Sequence, residues 1–310
     1  MRNSSMIRRG LTAAAVVALA AASMTGTASA HGRDSGPGHG SGHSPGHGGR
    51  QHHPAPPDYY VSLGDSLAAG YQPDTNTNTS EAYTDQLYAK LKKQDPRLVH
   101  IKLGCSGETT GTMIDGGICT YHGASSQLDA AVKFLKAHRG EVRYVTLDIG
   151  ANNVDSCLAG GTIDQACTAA GVATVDTQLP QIAKALHRAG GDTPRYVGMN
   201  YYDPFLAVWL TGPAGQTLAA ESVQLSTVLN GVIEKGLQHN GFALADVSKA
   251  FSTDDFTDQA TLPGLGTVPL NVARICAWTW ECTPYQNIHA NTAGYGEIAA
   301  VFQKTLAHRR

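Results

Sequence analysis

The chain of 310 residues carries a formal net charge of −2, and 15% of its residues are charged. A near-neutral balance without long charge runs lacks the basic surface that nucleic-acid binding requires. The length allows one domain with a substantial core. We therefore expect a small or neutral partner and no nucleic acid.

The first thirty residues have the parts of a secretory signal peptide. A basic start with Arg8 and Arg9 precedes an apolar run over 11–22, and the tripeptide 28–30 is an A-x-A cleavage site. The apolar run is shorter than the ~20 residues of a spanning helix. We predict that residues 1–30 are a signal peptide and that the protein is secreted and extracellular, without stable membrane insertion. The arginine pair leaves Sec and Tat export both open.

Residues 31–57 are nearly all Gly, Ser, Pro and His, without apolar periodicity. This composition buries too little surface to offset chain entropy and predicts a disordered tail. Six histidines in the tail leave loose binding of Zn, Cu or Ni open beside a plain solvated spacer. Cysteine partners at fixed spacing are absent, so we expect no structural metal site and no cofactor.

Strand and helix patterns alternate over residues 58–310, the predicted folded domain. The first strand opens the segment 58–71 and ends at the turn residues Gly64 and Asp65. Further strands are predicted over 97–103, 142–149, 195–200 and 242–247, and helices over 81–94, 126–140, 172–189, 217–238 and 292–306. The alternation predicts a parallel sheet covered on both faces.

Six cysteines all lie in the predicted folded domain. An even number in an exported chain predicts three disulfides, although six cysteines allow 15 pairings. Close spacing favours the sequential pairs Cys105–Cys119, Cys157–Cys167 and Cys276–Cys282. The chain has no C-x-x-C motif, which argues against metal ligation by these residues.

Glycine and short polar residues follow the predicted strands. They are found at 64–66, 104–107 and 150–153. In a parallel sheet these positions converge on one edge, where ligands bind. Ser66 is the candidate nucleophile, and Gly107 and Asn152 can offer N–H donors to an oxyanion.

A serine nucleophile also needs a base, and His289 is the best candidate. Other histidines, such as His138, His187 and His239, lie near predicted helix ends, where a solvated role is usual. His289 instead lies in a predicted loop before the last helix, close to the Cys276–Cys282 pair.

Four motifs at these positions resemble those of the SGNH, or GDSL, hydrolases, in the same order and at the same spacing. They are GDSL at 64–67, CSGET at 105–109, GANN at 150–153 and IHANTAGY at 288–295. The resemblance covers 58–308 and is closest to secreted bacterial esterases and lipases with three disulfides. It implies a three-layer α/β/α sandwich with a mainly parallel, flavodoxin-like sheet.

The same resemblance implies the roles of the site residues. Ser66 would be the nucleophile and His289 the general base. The oxyanion hole would combine the N–H groups of Ser66 and Gly107 with the side chain of Asn152. A histidine base predicts activity that rises with pH through an apparent pKa near the ~6.5 of the free side chain.

Two positions depart from the family pattern. Gln286 stands where an aspartate usually precedes the histidine, so we expect a main-chain carbonyl of the loop 280–286 to orient His289 instead. Asn153 stands where an aspartate usually follows the oxyanion asparagine. A carboxylate at the first position would normally stabilise the histidine cation.

The favoured function is a carboxylic-ester hydrolase acting on a small ester or lipid, as a monomer. Tyr201 and Trp280 are possible residues of a substrate pocket, with a core role equally open. Alternatives are a carbohydrate deacetylase or phospholipase on the same fold, a catalytically degenerate ligand-binding relative, and a metal scavenger that uses the tail.

Overall fold

The computed structural model of the chain describes residues 56–159 and 162–307. The predicted signal peptide and residues 31–55 of the predicted tail lie outside the described residues. Within the described ranges, no helix is both long and apolar enough to cross a bilayer.

A parallel sheet forms the centre of the fold. Its strands are β1 (Asp58–Gly64), β2 (Leu98–Lys102), β3 (Val142–Asp148), β4 (Arg195–Met199) and β5 (Ala243–Ala245). They pair in parallel in the order β2-β1-β3-β4-β5. This is the flavodoxin-like order of a doubly wound sheet. β1 is buried along almost its whole length because helices cover both faces of the sheet.

Helices cover the sheet in two groups. The helices are α1 (Ser66–Ala69), α2 (Tyr83–Lys92), α3 (Thr110–Asp115), α4 (Gln127–Ala137), α5 (Gln165–Gly190), α6 (Pro213–Gln238), α7 (Val247–Ala250), α8 (Leu270–Trp278) and α9 (Thr292–Ala307). α2 packs against α9, whereas α4, α5 and α6 pack side by side. The predicted three-layer α/β/α sandwich is therefore confirmed.

Two helices begin earlier than the sequence predicts. α5 begins at Gln165 because Asp164 caps it, its carboxylate accepting from the Cys167 N–H at 3.0 Å. α6 begins at Pro213, and proline suits the first turn of a helix, where the missing N–H has no acceptor to lose. Both starts depend on local cap chemistry rather than on apolar periodicity.

Several elements near the carboxyl edge were not predicted. α8 follows a hairpin of Gln259–Leu262 and Gly266–Pro269. Short antiparallel pairs join Tyr71–Gln72 to Thr77–Asn78, Leu158–Ala159 to Thr162–Ile163, and Thr279–Trp280 to Asn287–Ala290. Turns of 3₁₀ helix occur at Ala151–Asn153, Asp155–Cys157 and Pro204–Thr211. These segments are too short or too irregular to show a clear sequence period.

Three disulfides connect the pairs that the sequence predicts. They are Cys105–Cys119, Cys157–Cys167 and Cys276–Cys282. The first closes the segment that contains Gly107, and the third joins α8 to the loop before the strand of His289. Both therefore constrain loops that carry candidate site residues.

β1 ends in a turn that only glycine fits. Gly64 has φ 150° and lies opposite Asp148 of β3 in the sheet register. A Cβ added to Gly64 would lie 2.2 Å from Oδ1 of Asp148. The turn that leads to Ser66 therefore brings the β1 backbone directly against the end of β3.

We predict that Gly64→Ala destabilises the fold by roughly 3 kcal/mol, because it adds a clash to an unfavourable φ. Chemical denaturation monitored by circular dichroism would measure the change. Gly231→Ala is the matched control, since Gly231 lies on an exposed face of α6 with no atom within 4 Å of an added Cβ. The control should be neutral or slightly stabilising. Equal stability of the two variants would contradict the tight turn.

Candidate active site

Ser66 is the first residue of α1, directly after the β1 turn. Asp65 caps this short helix, its carboxylate accepting from the Leu67 N–H at 2.9 Å. A first helical residue has no intrahelical acceptor for its N–H. Ser66 also lines a cleft at the carboxyl edge of the sheet. Its hydroxyl and amide are thus both available at that edge.

His289 lies against Ser66. Nε2 of His289 is 2.7 Å from Oγ of Ser66, and the Tyr71 ring lies 4.6 Å from the imidazole, centroid to centroid. The sequence places His289 in a loop, but the residue belongs to the short strand Asn287–Ala290, paired with Thr279–Trp280. The distant pairing partner explains why the local sequence does not indicate a strand.

Asn287 orients the imidazole. Its Oδ1 lies 2.6 Å from Nδ1 of His289 and also accepts from the His289 backbone N–H at 3.1 Å. Because a carbonyl oxygen can only accept, Nδ1 carries the ring proton and Nε2 is free to accept from Ser66. The main-chain carbonyl expected from the loop 280–286 is therefore wrong as the orienting group.

Gln286 does not take the place of the usual aspartate. Its side chain is exposed and its φ is 43°, a left-handed conformation that turns the chain just before Asn287. The acceptor is consequently supplied one residue later than the family pattern suggests. Asn287 was visible in the sequence as a polar neighbour, but nothing in the sequence indicated that its amide would meet the ring.

Burial lowers the pKa of His289 to about 4 because the charged imidazolium loses its hydration. The orienting group is a neutral amide, which supplies no opposing charge. His289 is therefore neutral, as a base must be, well below the pH at which a free histidine is half protonated. This pKa lies below the ~6.5 of a free histidine, the value on which the sequence-based expectation for the pH profile depends.

Asn152 and Gly107 belong to neighbouring loops. Asn152 lines the same cleft as Ser66, and one N–H of its amide donates to the Glu108 carbonyl at 2.8 Å. An amide group has two N–H donors, so one remains for a ligand. Gly107 has φ 84° and is exposed, with no atom within 4 Å of an added Cβ. It does not itself line the cleft.

Asn153, the second position that departs from the family pattern, links two loops. Its Oδ1 accepts from the Thr110 N–H at 3.1 Å, and its Nδ2 donates to the Thr110 hydroxyl at 2.9 Å. Asparagine thus supports the start of α3 through both ends of its amide. An aspartate could accept but not donate there.

The cleft beside Ser66 and His289 has mainly apolar walls. These include Leu67, Val154, Leu158, Pro204, Phe205, Leu225, Leu229 and Ile288. Tyr201 also lines the cleft, but its hydroxyl donates to Asp65 at 2.7 Å. Trp280 is not among the lining residues, and its indole N–H donates to Oε1 of Gln72 at 2.6 Å. Of the two possible pocket residues, only Tyr201 is among those that line the cleft, and its hydroxyl also supports the turn of Ser66.

Gln127, which the sequence did not indicate, supports the nucleophile turn. Its Oε1 accepts from the Gly64 N–H at 2.6 Å, and its Nε2 donates to the Gly64 carbonyl at 3.0 Å. Nε2 also donates to Oε2 of Glu108 at 2.9 Å. Burial raises the pKa of Glu108. One buried amide therefore ties the turn of Ser66 to the loop of Gly107.

A model of the GDSL-like lipase/acylhydrolase family matches residues 62–296. The chain belongs to this family. The match spans all four motifs and the strands and helices between them. None of the curated proteins matches the chain.

Solved structures of lipases share the fold. The extracellular lipase of Streptomyces rimosus aligns with a TM-score of 0.51 at 17% identity, over 80% of this chain and 99% of that one. A putative GDSL-like lipase of Parabacteroides merdae aligns with a TM-score of 0.51 at 13% identity, over 81% and 96%. At these identities the comparisons establish the GDSL fold alone.

We predict that Asn287→Asp raises the pKa of His289, because the new carboxylate stabilises the imidazolium against burial. The shift should be about 1 to 3 units, measured by NMR titration of the His289 ring protons. Aspartate has the same size as asparagine and keeps the acceptor oxygen, so the added negative charge would be the cause of the shift.

Gln286→Asp is the control for that titration. It adds the same charge at an exposed position one residue away, where solvent screens it. A smaller shift is expected. An equal or larger shift for Gln286→Asp would show that the ring is oriented from position 286 rather than 287.

Proposed function

We propose that the chain is a secreted serine hydrolase that cleaves carboxylic esters, as an esterase or lipase. The 2.7 Å contact between Oγ of Ser66 and Nε2 of His289 carries the proposal. Asn287 completes a Ser–His–Asn arrangement in which the base has the correct tautomer. Membership of the GDSL-like lipase/acylhydrolase family adds independent support.

Acylation begins when Oγ of Ser66 attacks the ester carbonyl carbon. Nε2 of His289 takes the hydroxyl proton, and the resulting imidazolium keeps its Nδ1–H donated to Asn287. The carbonyl oxygen becomes an oxyanion, which receives N–H donors from Ser66 and Asn152 in the cleft and from Gly107, on the loop that the Asn152 amide contacts. The carbon–oxygen bond to the alcohol then breaks, and His289 returns the proton to the leaving oxygen.

Deacylation repeats these steps with water. His289 takes a proton from water as the water oxygen attacks the acyl carbon. The bond from that carbon to Oγ of Ser66 breaks, and the proton passes to Oγ. Acid is released and the serine is regenerated, so the cycle requires no cofactor.

The lining of the cleft favours a substrate with an apolar acyl group. Its apolar walls favour a hydrocarbon chain, and ligand sites of this kind pair such walls with a few placed polar groups. A small ester or a lipid fits this description. The neutral amide of Asn287 argues against the degenerate-relative alternative, because the histidine retains an orienting partner.

Two observations support secretion. The signal-peptide pattern at 1–30 is one. The other is the set of three disulfides, which persist in oxidising compartments and are rare in the cytosol.

We expect the mature, disulfide-intact protein to hydrolyse p-nitrophenyl acetate and a longer-chain homologue. Ser66→Ala and His289→Ala should each lower kcat by roughly 10⁴-fold or more, since either change removes the nucleophile–base unit. His122→Ala is the control, because His122 is exposed and not among the cleft residues.

Activity that survives Ser66→Ala would contradict the assignment. If the wild-type protein cleaves neither ester, a panel of acetylated carbohydrates and phospholipids would separate the two alternative substrate classes from a binding protein.

We expect kcat/KM to be nearly flat from pH 6 to 8 and to fall below about pH 5. His289 acts as a base only when neutral, so its lowered pKa of about 4 extends the active range to lower pH. The rate of spontaneous ester hydrolysis without the protein is subtracted at each pH. A fall in kcat/KM centred near pH 6.5 would instead mean that the site stabilises the imidazolium.

A further inference from the structure

Two buried aspartates lie beneath the nucleophile turn and have no part in the mechanism above. Asp65 is 2% exposed and Asp148 is 0% exposed. The Asp65 N–H donates to Oδ2 of Asp148 at 3.3 Å, so the carboxyl group of Asp148 lies directly beside Asp65. The sheet register causes this contact, because Asp148 ends β3 opposite Gly64, the residue just before Asp65.

The remaining partners of the pair are donors without charge. The Asp65 carboxyl accepts from the Leu67 N–H at 2.9 Å and from the Tyr201 hydroxyl at 2.7 Å. Asp148 accepts from the Tyr83 hydroxyl at 2.5 Å and from the Asp65 N–H at 3.3 Å. Among the described residues, no lysine, arginine or histidine forms an ion pair with either aspartate.

Two neighbouring carboxylates out of water repel each other, and that repulsion strongly disfavours a second negative charge where no cation offsets it. A single proton held between them replaces repulsion with a hydrogen bond. Each carboxyl group accepts from one tyrosine hydroxyl and one N–H, but the Leu67 N–H lies 2.9 Å from Asp65, whereas the N–H that reaches the Asp148 carboxyl lies 3.3 Å away and is shared with the Asp148 main-chain oxygen. Asp148 is therefore the member that keeps the proton and donates it.

We propose that Asp65 and Asp148 share one proton at neutral pH, and that protonated Asp148 is a positioning residue that fixes the turn carrying Ser66. The catalytic part of this inference rests on the proposed function. The protonation state of the pair does not.

The electrostatic surroundings favour the same protonation state. Burial is the main cause that raises the pKa of Asp148 well above its usual value, and the charge of Asp65 adds to it. The titratable groups that also act on the pair are Tyr60, Tyr83, Glu108, Asp155, Tyr201, Tyr202 and Tyr295. None of them is a cation, so none can stabilise a second negative charge.

The shared proton matters for the proposed chemistry at Ser66. A second negative charge directly behind the nucleophile would oppose the oxyanion that forms during attack. It would also push Asp65 away from Asp148 and disturb the turn between Gly64 and Ser66.

Infrared spectroscopy of the full-length wild-type protein tests the protonation state without any substrate. At pH 8.5 we expect the C=O stretch of a protonated carboxyl group, and Asp148→Asn should remove it. Glu281→Gln is the control and should leave the band in place, since burial raises the pKa of Glu281 only to about 7. The proposal is overturned if the wild-type protein has no such band or if Asp148→Asn keeps it in full.

Ester hydrolysis tests the positioning role. Asp148→Ala should lower kcat by roughly 100-fold with little change in KM, as expected for a misplaced nucleophile. Asp148→Asn should recover at least tenfold of that loss, because its amide can donate to Asp65 and accept from Tyr83. The Asp65 N–H would keep its second acceptor, the Asp148 main-chain oxygen at 3.2 Å.

Equal losses in the Asn and Ala variants would overturn the positioning role. If the wild-type protein hydrolyses no ester, the proposed function fails while the infrared result still decides the protonation state of the pair. Circular dichroism of each variant identifies a loss that comes from unfolding.

Discussion

The hydrogen bond between Ser66 and His289 joins residues 223 positions apart in the chain. The serine is fixed by the sharp turn at the end of β1. The histidine is fixed by a two-stranded pairing with Thr279–Trp280, by the Cys276–Cys282 disulfide nearby and by the Tyr71 ring. Much of the structure at the carboxyl edge therefore acts to bring these two residues to within hydrogen-bond distance.

A neutral amide in the orienting position changes the electrostatics of the site. A carboxylate would stabilise the imidazolium and raise its pKa, whereas Asn287 fixes the tautomer and leaves the charge uncompensated. The base is weaker, but it is unprotonated over a wider pH range. Orientation and charge stabilisation, which an aspartate supplies together, are separated here.

Buried polar groups hold the site together from below. Gln127 bonds both the N–H and the carbonyl of Gly64 and also reaches Glu108, whose main-chain oxygen accepts from Asn152. Every buried polar side-chain atom in the described ranges has a partner. Such a satisfied network specifies one geometry, because losing any member leaves a buried group unpaired. The turn that carries Ser66 and the loops that carry Gly107 and Asn152 are consequently held in one fixed arrangement.

The sequence by itself determined the five strands of the central sheet, the five longest helices, the parallel sheet and the disulfide pairs, because periodicity and spacing are local properties. Its short motifs also identified Ser66 and His289 as candidate catalytic residues. Only the tertiary structure decided that Asn287 meets the imidazole, that Asp148 meets Asp65, and that Trp280 turns to Gln72 rather than to the cleft. These contacts depend on how distant loops pack at one edge of the sheet. Side-chain partnership of that kind has no local pattern in the chain.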